Sequence, residues 1–218
     1  MALGVALLSM LCAVAYVLNL QPTSREDLTI VRFTSYPGFE SAPSFSPDGN
    51  EIVFSWYQDN EFSTAIGFGL YVKQFGNERA VRLTNHEANY IIPAWSPDGQ
   101  NIAFTMIGKN GNGVYLMPAL GGPERRIAEF DETSYETYQW FLLSWSADSR
   151  RIAFSKADPR SPGTYRGTEH HHIHLVDVQT GEERVLPDPS PDCTENMDPA
   201  FSPDRQISGL SVSRQAGE

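Results

Sequence analysis

Residues 93–104 read PAWSPDGQNIAF, and this stretch decides the fold because close copies of it recur along the chain. The copies are PSFSPDGNEIVF at 43–54, LSWSADSRRIAF at 143–154 and PAFSPDRQISGL at 199–210. In each copy a serine directly follows the aromatic residue. These serines, at 46, 96, 146 and 202, are spaced by 50, 50 and 56 residues. Self-similarity at such a period indicates a repeat architecture, in which each copy forms one supersecondary unit.

Each copy predicts a β-hairpin. An aromatic strand end enters Ser-Pro-Asp-Gly, where Pro sets φ for a turn, Asp bonds local backbone amides and Gly accepts positive φ. A strand of β-branched and aromatic residues leaves the turn, and two further short strands follow it, as in 69–72 and 80–83. The repeat-turn residues are Ser46, Pro47, Asp48, Gly49, Ser96, Pro97, Asp98, Gly99, Ser146, Asp148, Ser202 and Asp204.

Four strands per period, without helical periodicity, predict an all-β protein: a β-propeller of four-stranded antiparallel blades. Residues 31–205 have room for about 3.5 blades at a period of 50. The aromatic residues that precede the turns, Phe45, Trp95, Trp145 and Phe201, are expected to form the core between blades. Residues 206–218 lose the glycine and the apolar alternation and are expected to be an irregular tail.

The motif Pro-Ala-Trp-Ser-Pro-Asp-Gly, with Leu83-Thr84 before it and Ile102-Ala103-Phe104 after it, resembles the WD40-like repeat of TolB-type bacterial β-propellers. The resemblance covers about residues 30–205 and is specific for fold. It implies six blades, an extracytoplasmic location and a protein-interaction role. Some similar propellers stand beside a hydrolase domain or a sensor's transmembrane helix. With about 3.5 blades, the chain is expected to need further blades or self-association.

The first twenty residues predict an apolar helix at the membrane. Residues 2–20 carry no charge, and nineteen helical residues span roughly 28 Å, near the thickness of a bilayer core. A transmembrane anchor is the favoured interpretation, with an uncleaved or cleaved signal peptide and a lipoprotein signal at Cys12 as alternatives. Residues 21–30 are then a linker, and the propeller is expected to be periplasmic.

The composition and the absence of known motifs argue against several classes of function. The chain has 16 Lys and Arg against 27 Asp and Glu, a formal charge of −11, and no basic stripe, which argues against nucleic-acid binding. Its two cysteines, Cys12 and Cys193, fit neither a disulfide scaffold nor a zinc site. No Gly-x-Ser-x-Gly nucleophile motif and no phosphate loop occurs, so no catalytic residue and no cofactor is predicted.

The segment Glu169-His170-His171-His172-Ile173-His174 is the one metal candidate. Imidazole is a common metal ligand, and His172 and His174 share one face of an extended strand. His170, His172 and His174 are therefore weak candidate ligands. The repeat favours another interpretation, because His174 falls where Tyr71 and Tyr115 fall in earlier copies, and a metal-free chain is expected.

Three insertions relative to the repeat, 58–68, 131–139 and 158–168, are the candidate binding loops, since long loops carry function. Tyr57, Phe62, Tyr135, Tyr138 and Tyr165 are their candidate aromatic anchors. The sequence thus predicts a membrane-tethered binding module for a protein or a small ligand, as the sensor part of a larger regulator. The alternative is a gating propeller of a prolyl-oligopeptidase-like serine peptidase that lacks its hydrolase domain.

Overall fold

The structure, a computed structural model, describes residues 30–58, 67–85, 88–109, 111–130, 142–157, 171–188, 193–202 and 207–213. The chain divides into two compact units, Met1–Ser35 and Tyr36–Glu218. Of the first unit only residues 30–35 are described, and they have no regular secondary structure. The predicted apolar helix at 2–20 lies outside the described residues. Within them, no helix has the length and hydrophobicity needed to cross a bilayer.

The described part of the second unit is built of β-strands. They are β1 (Phe39–Phe45), β2 (Glu51–Tyr57), β3 (Gly69–Gln74), β4 (Val81–Arg82), β5 (Ala88–Trp95), β6 (Asn101–Gly108), β7 (Gly113–Pro118), β8 (Arg125–Glu129), β9 (Ser144–Trp145), β10 (Arg151–Ala157), β11 (His171–Asp177), β12 (Glu183–Val185), β13 (Cys193–Phe201) and β14 (Ile207–Ser213).

Consecutive strands pair antiparallel into four-stranded sheets. β1-β2-β3-β4 form blade 1 and β5-β6-β7-β8 form blade 2. Blade 3 has the same order, β9-β10-β11-β12. β13 and β14 pair antiparallel and begin a fourth unit, joined to blade 3 by one parallel bridge between His171 and Glu195. β13 packs on blade 3 as β5 packs on blade 1, so the blades follow one another in chain order.

The core lies between blades. Alternate residues of each central strand point to the preceding and to the following blade. Between blades 1 and 2, Val53 and Leu70 pack with Trp95, Ile102 and Phe104 in one buried cluster. A second cluster lies between blades 2 and 3 and contains Ala103, Val114, Leu143, Trp145, Ile152, Phe154 and Val176. Each blade therefore needs a neighbour to bury its faces.

The first strand of three units carries the same irregularity. A β-bulge interrupts the register of β1, β5 and β13 three residues before the aromatic strand end. The bulged residues Ala42, Ile92 and Asp198 have positive φ, between 49 and 53°, and each precedes a proline. A non-glycine residue with such a φ is uncommon. Its recurrence at one repeat position marks it as a feature of the architecture.

Two expectations need correction. Phe45 does not lie in a core between blades: its side chain is 60% exposed, because no other blade of the described structure covers that face of blade 1. Trp95 and Trp145, at the same repeat position, are buried. The tail expected to be irregular from residue 206 instead forms β14 over Ile207–Ser213. The backbone of β13 offers a hydrogen-bonding edge there, which does not require the lost glycine.

Candidate ligand-binding face

Strand direction sorts the connections of the blades into two ends. The first and third strands of a blade run towards the Ser-Pro-Asp turn, so the turn after the third strand lies beside it. Hydrogen bonds from Phe75 N to Asn50 O and from Ala119 N to Gln100 O show this proximity. We call this the turn end. The connections that follow second and fourth strands lie at the opposite end, the loop end.

The strands that precede the three candidate binding loops all end at the loop end. Segments 58–68 and 158–168 follow the second strands β2 and β10, and segment 131–139 follows the fourth strand β8. Of the first segment, residues 58, 67 and 68 are described; the other two segments lie outside the described residues. Phe62, Tyr135, Tyr138 and Tyr165 lie outside them as well.

Tyr57 is a supporting residue in the structure and is not exposed on the surface. Its side chain is 8% exposed, and its ring lies 5.4 Å from the ring of Phe68, measured between centroids. A Cβ added to Gly67 would come within 2.5 Å of the Tyr57 ring, so this glycine permits the close approach of the chain. Tyr57 thus packs where the loop rejoins the blade.

Asn89 fixes the same loop from the next blade. Its Oδ1 accepts hydrogen bonds from Gly67 N at 2.9 Å and from Phe68 N at 3.3 Å. The repeat motif gave no signal for this residue, because its partners are 21 and 22 residues away in sequence. In blade 2, the buried Asn112 similarly accepts a hydrogen bond from Gly108 N on its Oδ1 at 3.1 Å. Asparagine side chains therefore hold loop ends in blades 1 and 2.

The turn end uses its polar side chains for structure. Ser96 Oγ donates to Asp98 Oδ1 at 2.6 Å and accepts from Asn101 N at 3.0 Å, while Asp98 Oδ1 also accepts from Gln100 N. The same three bonds recur at Ser46 and Asp48. They recur again at Ser146 and Asp148. The three carboxylates thus each close a local ring of hydrogen bonds.

The Asp48 carboxylate is stabilised in its charged form. The hydrogen bond from the Ser46 hydroxyl, followed by those from Asn50, lowers the pKa of Asp48 below its ordinary value. A carboxylate with these donors is a poor general acid. The fourth copy has two predicted turn residues. Ser202 is described, and Asp204 lies outside the described residues.

The third copy modifies the turn and connects two blades. Gly49 and Gly99 have φ near 72 and 75°, and Ser149 takes the same conformation with φ of 57°. Its hydroxyl accepts a hydrogen bond from Asp98 N at 3.0 Å. A serine in the left-handed region thus links the turns of blades 2 and 3.

The histidine segment is a polar cluster in blade 3. His174 Nδ1 lies 2.6 Å from Glu183 Oε1, and Lys156 Nζ lies 3.3 Å from the same oxygen. His172 Nδ1 lies 2.9 Å from Asp188 Oδ1. The His174 ring stacks on Phe154 at the register position where Tyr71 stacks on Phe54 and Tyr115 on Phe104. His174 is thus placed as a blade-strand residue.

These contacts weigh against a metal site at His172 and His174. The Lys156 ammonium beside Glu183 would repel a cation. The described residues bring no three His, Cys, Asp or Glu side chains into metal-binding proximity. His170 lies outside them.

Antiparallel four-stranded blades that bury their faces against one another define the chain as a β-propeller protein. The family model of the TolB β-propeller domain matches residues 12–217, and the chain belongs to that family.

Solved structures show the same fold. A putative TolB from Agrobacterium tumefaciens is 20% identical, with a TM-score of 0.57 over 80% of this chain and 54% of its own. TolB from Acinetobacter baumannii is 17% identical, with a TM-score of 0.60 over 83% and 39%. Dipeptidyl peptidase 4 from Porphyromonas gingivalis is 16% identical, with a TM-score of 0.53 over 80% and 29%. The chain thus spans about half or less of each. A comparison with proteins of curated function found no match.

Proposed function

We propose that the chain is a non-catalytic binding module that engages a protein or a small ligand through its loop end. The observation that supports the proposal is the strand topology, because β2, β8 and β10, the strands that precede the three long insertions, all end at the loop end. The opposite end commits its Ser and Asp side chains to the turns themselves. Loops positioned by a rigid scaffold are the usual place for recognition.

The module is proposed to be tethered at a bacterial membrane, with the propeller on the extracytoplasmic side and in the role of a sensor. Residues 2–20 support the tether because they are uncharged and long enough to span a bilayer core. Membership of the TolB propeller family supports the periplasmic location.

Site-specific photocrosslinking tests the binding face. A photoreactive amino acid replaces Tyr135 or Tyr165 of the candidate binding loops, and Leu120, which is 95% exposed at the turn end, provides the matched control. The proposal expects a discrete crosslinked product in bacterial membranes from the loop-end positions and none from position 120. Crosslinking from position 120 alone would place recognition at the turn end and would contradict the proposal.

Fractionation tests the tether. The full chain is expected in the membrane fraction after an alkaline wash, and deletion of residues 2–20 should release it. Amino-terminal sequencing is the decisive measurement. A mature protein that begins shortly after residue 15 would show a cleaved signal peptide and would exclude the anchor.

A second candidate is the gating propeller of a serine peptidase. The likeness to the dipeptidyl peptidase of Porphyromonas gingivalis and to prolyl endopeptidases favours it, although at 16 and 14% identity the likeness concerns the fold. Sequencing of the coding region beyond residue 218 distinguishes the two. A downstream Gly-x-Ser-x-Gly segment between a strand and a helix would support the peptidase.

A further inference from the structure

One pair of positions differs between blade 3 and blades 1 and 2. The third strand faces the fourth at Tyr71 with Arg82 in blade 1 and at Tyr115 with Arg126 in blade 2. The Arg82 guanidinium lies over the Tyr71 ring, 5.8 Å from its centroid. In blade 3 the equivalent pair is His174 with Val185, which cannot form a cation–π contact.

Blade 3 holds its outer strand by charge instead. Glu183 lies at the start of β12. Its Oε1 lies 2.6 Å from His174 Nδ1 of β11 and 3.3 Å from Lys156 Nζ of β10. All three side chains are at least partly buried, with 11, 22 and 26% exposure for His174, Lys156 and Glu183. One carboxylate therefore links three neighbouring strands.

A second pair extends this arrangement past the end of β12. His172 Nδ1 meets Asp188 Oδ1 at 2.9 Å, and Leu186 N donates to Ile173 O at 2.8 Å. Residues 183–188 are thus fastened to β11 by two histidine–carboxylate contacts and a short hydrogen-bond ladder. β12 itself has only three residues, so its backbone pairing is limited.

The other charged side chains near this cluster bind other partners or lie on the opposite side of the sheet. From blade 2, Arg125 donates to the Val178 carbonyl oxygen, and Arg126 pairs with Glu129 near Tyr115 on the other face of β8. On β12, Arg184 faces Leu175 and so lies on the opposite side from His174. The described charges that face Glu183 are therefore Lys156 and His174, with His172 and Asp188 beyond them.

We propose that Lys156, Glu183 and His174 form an acid-labile clasp, so that acidification releases the outer edge of blade 3 before those of blades 1 and 2. Protonation of Glu183 removes its negative charge and leaves the partly buried Lys156 ammonium without this counter-ion. In blade 1 the equivalent contact is the uncharged Tyr71 ring under Arg82. In blade 2 Arg126 pairs with Glu129 of its own strand, whose side chain is 68% exposed, so this ion pair does not join two strands.

The lowered pKa of Glu183 determines whether acid strengthens or weakens the clasp. The hydrogen bond from His174, together with Lys156, lowers the pKa of Glu183 below its ordinary value in the folded chain. A carboxyl whose pKa is lower in the folded than in the unfolded chain stabilises the folded state. This stabilisation is complete above the pKa of the unfolded chain and is lost as the pH falls through the pKa of the folded chain. The clasp therefore holds at neutral pH and opens in acid.

Hydrogen exchange of the full chain tests the clasp. Backbone amides 183–186 are followed between about pH 6 and pH 3.5, a range that includes the ordinary carboxyl pKa, after correction for intrinsic exchange. Their protection is expected to fall roughly tenfold more than that of amides 81–83 and 125–128. An equal fall in all three blades would overturn the proposal.

Two variants keep the test decisive. Glu183→Gln should show roughly tenfold lower protection of 183–186 already at about pH 6, whereas Glu182→Gln, the exposed neighbour, should behave as the wild type. His174→Tyr with Val185→Arg installs the pair of blade 1 and should remove the acid response. Unchanged protection in Glu183→Gln would refute the clasp, even if the double variant does not fold.

Discussion

Blades 1 and 2 present the same repeat to different surroundings. Trp95 of blade 2 lies in a buried cluster with Val53 and Leu70 of blade 1, whereas Phe45, at the same repeat position in blade 1, is 60% exposed. The Phe45 ring stacks with Phe75, which is half exposed, at 6.2 Å between centroids. The turns that follow Phe45 and Trp95 nonetheless have the same hydrogen bonds. The repeat therefore determines the turn locally, while burial depends on a neighbouring blade.

The largest expected difference is at the aromatic position itself. Trp95→Ala should lower the free energy of unfolding by about 3–5 kcal/mol, because it leaves a cavity between two blades. Phe45→Ala should lower it by less than about 1 kcal/mol, since the ring is mostly exposed. Urea unfolding monitored by circular dichroism measures both. Equal losses would mean that Phe45 is covered in solution.

The turn serine should have the same effect in both blades. Ser46→Ala and Ser96→Ala each remove a hydroxyl that donates to an aspartate and accepts a backbone amide. Each should cost about 1–3 kcal/mol, because two hydrogen bonds of a buried hydroxyl are lost and one of them is to a charged carboxylate. The same unfolding measurement applies, and a cost confined to Ser96 would show that the turn depends on the neighbouring blade after all.

A smaller effect is expected at the glycine of the turn. Gly49→Ser and Gly99→Ser place a side chain at φ near 72 and 75°, which should cost about 1 kcal/mol each. Neither added Cβ would meet an atom closer than 3.7 Å, so the cost is conformational. The reciprocal Ser149→Gly should change the unfolding free energy by less than about 0.5 kcal/mol, because relieved backbone strain offsets the lost bond to Asp98 N. A clear gain or loss there would contradict this balance.

The most subtle test concerns the titration of a turn carboxyl. The pKa of Asp48 lies below its ordinary value because the Ser46 hydroxyl and Asn50 donate to the charged form. Its contribution to stability is thus present above the unfolded pKa and is lost as the pH falls through the folded one. Carbon-detected NMR of the Asp48 carboxyl should show the pKa rising in Ser46→Ala. An unchanged pKa would assign the shift to the backbone and side-chain amides of Asn50.

The sequence was sufficient for the strands and turns because their determinants are local. The spacing of Ser46, Ser96 and Ser146 predicts the blade period, and the alignment of His174 with Tyr71 and Tyr115 agrees with the strand register. The exposure of Phe45 could not be read from the motif, since it depends on which surfaces meet. The clasp was equally hidden, because Glu183 meets His174 of the neighbouring strand and the repeat motif gives no signal for such a cross-strand contact.

The candidate binding face was predictable in part. Loop length indicated which segments to consider, and the structure shows that the strands before them, β2, β8 and β10, end at the same end of the blades. The role of Asn89 needed the structure, since its hydrogen bonds reach Gly67 and Phe68 in another blade. Tyr57 shows the reverse: its position beside a loop suggested an anchor, but its side chain is buried.

The bulges in β1, β5 and β13 have a consequence for how the molecule avoids association. Each lies in a strand that forms one edge of its antiparallel sheet, or begins a new unit, and each is followed by Pro43, Pro93 or Pro199. Proline has no amide hydrogen to offer, and a bulge bends the row of remaining donors and acceptors. An incoming strand from another molecule would find this edge without a continuous set of partners. The bulges thus protect the β1 and β5 edges against edge-to-edge aggregation while the faces of these blades stay free to stack.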